Sequence, residues 1–306
     1  MPVTQLLRVG ITVADLERTA SFYRDALGLT VGPARGFSDP AWNRLLGLDA
    51  GVSASGADVA IGQQIVRLVA FDPPGAPYPP APASNDQWFE HVALVTGDIA
   101  TVWKRLEGGS FGEITKGAPV LLPSNTGSVT AFKFRDPEGH PLELIFFPQG
   151  VGAPIWHQTA GTGIRGYDHT AISVMDVDRS LAFYEGLFGF RIAGRSLNAG
   201  PEQDQLDGLM GCEVDVVALQ PTQVPTPHVE LLHYRAPPGP TLAAPLKAND
   251  VASARQFHKA DDLAGLVRRL EAADAPFVSP GIVTLKDGGK AAAVRDPDGH
   301  MVVLMA

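Results

Sequence analysis

Residues 167–190 read YDHTAISVMDVDRSLAFYEGLFGF, and their reading decides the fold. The stretch opens as a strand. Tyr167, His169, Ala171 and Ser173 alternate with Asp168, Thr170, Ile172 and Val174, a period of two that puts His169 on one face. Asp176 or Asp178 can cap a helix by accepting bonds from its free N–H groups. That helix carries Leu181, Phe183, Tyr184, Leu187 and Phe188 at roughly helical spacing and stops at Gly189. The same strand–helix unit recurs at residues 6–30, LLRVGITVADLERTASFYRDALGLT, with Arg8 in the histidine's place.

The recurrence extends to the whole chain. Asp176 lies 161 residues after Asp15, as do Phe183-Tyr184 after Phe22-Tyr23 and Gly189 after Gly28. Arg295-Asp296-Pro297-Asp298-Gly299-His300 follows Arg135-Asp136-Pro137-Glu138-Gly139-His140 by 160. Each half divides again, giving modules of about 6–72, 88–148, 166–235 and 251–306. The joints DPPGAPYPPAPASND, PQGVGAPIWHQTAGTGIRG and RAPPGPTLAAPLKAND are rich in Pro and Gly and read as linkers. The expected organisation is α+β: four βαβββ modules in two tandem domains, 1–150 and 151–306, whose mixed sheets form cups.

Composition limits the function classes. The formal net charge of −9 lacks the basic excess that nucleic acid or an anionic membrane surface requires. No apolar run reaches the roughly 18 residues that span a bilayer, and the N-terminus has no secretory pattern. The single cysteine, Cys212, cannot form an internal disulfide, which fits a cytoplasmic setting.

Four copies of the strand–Asp–helix start, with FYRDALGL and FYEGLFGF, and the endings FRDPEGHPLELIF and VRDPDGHMVVLM resemble the vicinal-oxygen-chelate superfamily. That superfamily holds glyoxalase I, bleomycin-resistance proteins, methylmalonyl-CoA epimerase and extradiol ring-cleaving dioxygenases. The resemblance implies metal ligands on the first and last strands of each module. The first-strand position, seven residues before the capping Asp, holds Arg8, His91, His169 and Arg255 in module order. The last-strand position holds Arg67, Glu143, Glu230 and Val303. Modules 2 and 3 therefore supply one His and one Glu each, and modules 1 and 4 supply none. A crossed pairing, 2 with 3 and 1 with 4, gathers His91, Glu143, His169 and Glu230 into one metal site. The direct pairing leaves two half-sites beside arginines. The crossed pairing is the better reading, and two imidazoles with two carboxylates suit Ni, Co, Zn, Mn or Fe(II).

The resemblance further implies a divalent-metal-dependent enzyme of lyase or isomerase type. A metal-stabilised enolate would form on a small substrate with vicinal oxygens while a carboxylate moves the proton; the resemblance points to Glu143, and the sequence alone does not choose between Glu143 and Glu230. His228 and Tyr234 share the strand face of Glu230 by period two, and are expected to donate hydrogen bonds or carry a proton. Two rivals stand beside this reading. One is an Fe(II) or Mn(II) ring-cleaving dioxygenase; the other is a metal-free binding protein of the bleomycin-resistance kind. Arg8, Arg67 and Arg255 would converge in the second cup, either as an anion site or closed by ion pairs. His140 and His300 are expected to end tight turns. The expected partner is a small-molecule substrate, in a monomer or homodimer.

Overall fold

The structure is a computed structural model that describes residues 3–158 and 160–306. Module 1 runs β1 (Val3–Thr12), α1 (Leu16–Ser21), β2 (Thr30–Val31), β3 (Arg35–Phe37), α2 (Pro40–Leu45), β4 (Ser53–Ile61) and β5 (Gln64–Asp72). Module 2 comprises β6 (Glu90–Thr96), α3 (Ile99–Glu107), β7 (Gly112–Glu113), β8 (Val120–Leu121), β9 (Thr130–Arg135) and β10 (Pro141–Phe146). Module 3 comprises β11 (Ile164–Ser173), α4 (Val177–Leu181), β12 (Arg191–Ala199), α5 (Pro201–Asp207), β13 (Glu213–Gln220) and β14 (His228–Ala236). Module 4 closes the chain with β15 (Ala254–Ala260), α6 (Leu263–Ala272), β16 (Val283–Thr284), β17 (Lys290–Arg295) and β18 (Met301–Met305).

The strands form two open mixed sheets. One has the order β16-β17-β18-β15-β1-β5-β4-β2, with β3 beside β4, and so joins modules 4 and 1. The other runs β12-β13-β14-β11-β6-β10-β9-β7, with β8 beside β9, and joins modules 3 and 2. The crossed pairing is thus the arrangement found. The central pair of each sheet is antiparallel, β1 with β15 and β6 with β11, and each of these strands has a parallel neighbour from its own module.

Burial follows a different grouping. Val9, Ile11 and Tyr23 of module 1 pack with Val92, Leu94, Leu106, Phe132 and Leu144 of module 2 in one core. Ile172, Tyr184, Phe188 and Leu231 of module 3 share another with Leu266, Leu270, Val302 and Leu304 of module 4. Modules of the same half share a core around their helices, while modules of opposite halves share a sheet.

The helix starts agree with the sequence. Asp15, Asp98, Asp176 and Asp262 each accept a hydrogen bond from a backbone N–H in the first turn, so Asp176 is the cap and not Asp178. The FY helices are less regular than their spacing predicts. After α1 and α4 the backbone widens into π-helical turns, Phe22–Ala26 and Ala182–Leu187. The extra residue per turn lets both aromatic neighbours face inward, and Phe22, Tyr23, Phe183 and Tyr184 are all buried.

The strand that opens the decisive stretch also departs from strict alternation. The register of β11 against β6 shifts between Tyr167 and His169, as that of β1 against β15 shifts between Leu6 and Arg8. The bulge sends Tyr167 into the helix-side core, and leaves Asp168 within reach of the neighbouring His169 ring.

His140 and His300 are more than turn ends. His140 donates from Nε2 to the Val251 carbonyl (2.7 Å), and His300 from Nε2 to the Ser173 carbonyl (2.8 Å). Each is buried and ties its own sheet to a residue from the other sheet's modules.

Candidate metal centre

His91, Glu143, His169 and Glu230 lie on β6, β10, β11 and β14, the four central strands of the second sheet. Their registers interlock. His91 faces Ala171 and His169 faces Ala93 across the antiparallel pair. Glu143 is beside Ala93 and Glu230 beside Ala171 across the parallel pairs. Two small alanines thus alternate with the four polar side chains and leave the space between them open.

The side chains converge. His91 Nε2 lies 3.1 Å from Glu143 Oε2, and His169 Nε2 lies 3.6 Å from the same oxygen and 3.4 Å from Glu230 Oε2. One ligand atom from each of His91, Glu143 and His169 falls within 4.8 Å of the others, a buried metal-chelating arrangement. His91 is 2% exposed, yet neither ring nitrogen has a hydrogen-bond partner; the 3.1 Å approach to Glu143 lacks the alignment of one. An unpaired imidazole in a dry site is costly unless a cation takes its lone pair. The donor set therefore fits a divalent metal ion.

The surrounding groups set the electrostatics. Asp168 accepts from His169 Nδ1 (3.2 Å) and from the Trp156 indole N–H (2.6 Å), which orients His169 with Nε2 toward the site. Burial opposes the Asp168 charge, but His228 and the hydrogen bonds from His169 and Trp156 hold its carboxyl below the usual range. For Glu143 burial is again the opposing influence, outweighed by His169, His91 and Lys133, so it stays ionised. Burial lowers His91, whereas His169 is raised well above an ordinary imidazole because Glu230, Asp168 and Glu143 outweigh its desolvation.

A second tier comes from β9 and α5. Lys133 is opposite Glu143 in register, and its Nζ donates to Asp207 Oδ1 at 2.6 Å. Asp207 Oδ2 accepts from Gln203 (2.7 Å) and from the Tyr234 hydroxyl (3.0 Å). Tyr234 and Lys133 line the same cavity of about 160 Å³ as the four candidate ligands. His228 is buried beside them, its ring 5.4 Å from that of His169 and its Nε2 3.6 Å from Glu230 Oε1. His233, on the other strand face, meets Asp215 instead. Asp168, Lys133, Asp207 and Gln203 escaped the sequence reading. Asp168 depends on a bulge that alternation does not show, and Asp207 and Gln203 come from α5, in the long connection between β12 and β13, which carries no motif.

The centre of the matching face of the first sheet, around Arg255 and Phe257, is filled and leaves only about 10 Å³. Arg67 makes a bidentate pair with Asp58 (2.6 and 2.7 Å). Arg255 donates to the Ala248 carbonyl and the Thr12 hydroxyl. Arg8 lies 4.3 Å from the centre of the Phe257 ring, which Trp42 stacks upon. Phe257 stands where Ala93 does in the other sheet, facing Arg8 as Ala93 faces His169. A continuous apolar cluster including Leu46, Phe71, Phe257, Met301 and Val303 covers this face. On the second sheet the corresponding apolar residues split into two clusters, one on each side of the polar centre.

No helix among the described residues is long and apolar enough to cross a membrane. No curated protein matches the sequence significantly. Among solved structures, glyoxalase I from Zea mays is similar over 99% of this chain and 92% of its own, at 18% identity and a TM-score of 0.63. A point mutant of that enzyme gives 0.65 at the same identity, covering 94% of its chain. A putative dioxygenase from Bacillus subtilis subsp. subtilis str. 168 covers 99% of this chain and 85% of its own, at 16% identity and a TM-score of 0.59. These likenesses concern the fold. The sequence model of the Glyoxalase/Bleomycin resistance protein/Dioxygenase superfamily matches residues 5–144 and again 166–304, and the chain, a tandem duplication with one buried His/Glu/His centre, belongs to that superfamily.

Proposed function

We propose that the chain is a divalent-metal-dependent, glyoxalase-like enzyme of lyase or isomerase type, acting on a small substrate with vicinal oxygens. The observation that carries this reading is His91, buried with both nitrogens unpartnered against Glu143 and His169. His91, Glu143, His169 and Glu230 would hold the ion, which when bound supplies Lewis-acid charge to substrate oxygens. A cup-like curvature of the second sheet around these residues, and a division of the chain near residue 150, belong to the same reading.

The proton would be moved by a carboxylate. Glu143 is enclosed, its side chain 7% exposed with His91 3.1 Å away and the charge of Lys133 beside it, whereas Glu230 has approaches of 3.4 and 3.6 Å and a side chain 19% exposed at the cavity. The geometry favours Glu230 as the base, over Glu143, which family likeness favoured. His228 beside Glu230 would pass the proton on, and Tyr234, fixed by Asp207, would wall the cavity and orient substrate. The 160 Å³ volume favours a compact substrate over a large one. A soluble cytoplasmic monomer or homodimer would suffice, because one chain supplies all four ligands.

The test is metal analysis combined with turnover of 2-oxoaldehyde–thiol adducts. His91→Ala is expected to lose metal at least tenfold. Glu230→Gln is expected to keep most of the metal and lose roughly 10²–10⁴ in kcat. Purified protein without a divalent ion would sink the proposal. Oxygen uptake with catechols would transfer the site to the ring-cleaving reading.

A further inference from the structure

A second cavity, of about 310 Å³, lies against the DPDG turn of module 4, away from the metal centre. Leu242, Arg295, Gly299, His300, Glu90 and Met175 are among its walls. Its nature becomes readable from the other half of the chain, because the linkers repeat as faithfully as the modules do. Pro237-Pro238-Gly239 follows Pro73-Pro74-Gly75 by 164 residues, and Asn249-Asp250 follows Asn85-Asp86 by the same interval. The two linkers also clasp each other symmetrically. Val251 N–H donates to the Ala76 carbonyl, and Gln87 N–H donates to the Pro240 carbonyl. On this alignment Leu242 is the counterpart of Tyr78, Arg295 of Arg135, Gly299 of Gly139 and His300 of His140.

In the first half the counterpart of this cavity is occupied by the chain itself. The Tyr78 ring lies over Gly139, so close that a Cβ there would stand 3.0 Å from it. It meets His140 edge-on, with centroids 5.6 Å apart, and lies 6.0 Å from the Arg135 guanidinium. Three groups thus form a receptor for a phenol: a bare glycine floor, an imidazole wall and a guanidinium over the ring face. In the second half the same three groups are present, and Arg295 Nη1 donates to the Gly299 carbonyl as Arg135 Nη1 does to that of Gly139 (2.8 Å in both). The side chain that should fill them is Leu242. Pro245 approaches the floor, but only to 3.7 Å from a Cβ placed on Gly299. Aliphatic groups replace the ring and leave the cavity open.

We propose that this cavity is a second small-molecule site that takes an aryl group, a phenol above all, in the position Tyr78 occupies in the other half. It is distinct from the metal centre, though Glu90 in its wall directly precedes His91 on β6. The charge around it suits a neutral aryl ligand, since Arg179 at the rim is already paired with Asp298 at 2.7 Å and Glu90 in the wall already accepts from the Thr170 hydroxyl at 3.0 Å.

The probe is p-cresol, the tyrosine side chain as a free molecule. Calorimetric titration of the full chain should show one site, with a Kd on the order of 1 mM for a ligand of this size. Leu242→Tyr, which copies the first half into the second, should abolish that site. Tyr78→Leu, which copies the second half into the first, should raise the stoichiometry to two. Metal content should stay unchanged in both variants. In the wild type, [¹³C-methyl]methionine spectra give a reading that needs no variant: p-cresol should shift the Met175 resonance and leave Met210 unmoved. Absence of binding at 10 mM (roughly ten times that Kd) overturns the proposal. So does a Met175 signal that does not respond, or a stoichiometry indifferent to both substitutions in folded protein.

Discussion

Burial lowers the pKa of two histidines outside the metal centre, but their neighbours leave them shifted in opposite directions, and the difference is measurable. His140 has both ring nitrogens facing acceptors, Asp136 on Nδ1 and the Val251 carbonyl on Nε2, so it is held as imidazolium. Burial opposes this, but Asp136 prevails and the pKa is raised above its ordinary 6.5. Its stabilising contribution is therefore full below about pH 6.5 and is lost as pH rises through the folded value. His258 sits among Phe188 and Phe190, where burial lowers it to about 3. Its contribution is full above pH 6.5 and is lost as pH falls toward 3, at up to about 1.4 kcal/mol per pH unit. Urea unfolding of His140→Leu should show a loss of roughly 1.5–3 kcal/mol near pH 6 that narrows in alkali. His258→Leu should gain on the wild type as pH drops from 6.5 to 4.5. Parallel pH curves for the two variants would contradict this assignment. The four candidate ligands were named at this same scale from the family resemblance, whose ligand positions hold His and Glu in modules 2 and 3 alone, and three of them, His91, Glu143 and His169, form the buried chelating group. Lys133 was not legible, since its meaning depends on Asp207, 74 residues away in a loop-derived helix.

At the scale of the element, the capped helices and DPxG turns follow from local sequence, because each rests on contacts within a few residues, and the strands show through their alternation although their partners are distant. The departures arise where two elements press on one another. The π-helical turns exist because both residues of each FY pair find room in a shared core, and helical spacing alone cannot anticipate that. The bulge in β11 is likewise set by its partner strand. The linkers read as stiff spacers, yet they are interlocked structure. Asn85 donates to the Pro237 carbonyl and Asn249 to the Pro73 carbonyl, and the backbones meet at glycines. A Cβ on Gly239 would stand 1.4 Å from the Asn85 carbonyl oxygen, an overlap that no rotamer relieves. Gly239→Ala should therefore destabilise by about 1–3 kcal/mol or more, as over-packing does. Gly194 on β12 has open space around its Cβ position, and Gly194→Ala should stay within about 0.5 kcal/mol of the wild type. Equal thermal shifts for the two would show that the linkers yield more freely than their contacts imply.

For the molecule as a whole, chain connectivity and sheet connectivity disagree. The sequence repeat divides near residue 150, and the helix-side cores largely follow it, modules 1 and 2 filling one and modules 3 and 4 the other, with Tyr167 and Val3 exchanged between them. The sheets ignore it, because β1 pairs β15 and β6 pairs β11 across it. The unequal distribution of ligands made this crossing legible: only modules 2 and 3 together complete a metal site. Closure of the other sheet by an ion pair was one of the two expected readings, and Arg67 with Asp58 supplies it; the apolar filling was not legible, because Phe257, Trp42 and Leu46 carry no mark in sequence that distinguishes them from ordinary core residues. A cut in the linker tests the consequence. Residues 1–152 hold β1 and β6 as unpaired sheet edges, and residues 153–306 hold β11 and β15. Such edges, flanked by apolar faces, drive association. Each fragment alone is expected to self-associate, whereas the two produced together should assemble one-to-one and bind one metal ion per pair. His91→Ala in the first fragment or His169→Ala in the second should each remove the metal from the pair without separating it. Size-exclusion chromatography with metal analysis reads both outcomes. A first fragment that runs as a stable monomer would mean that the shared core, and not the shared sheet, is the unit that holds this protein together.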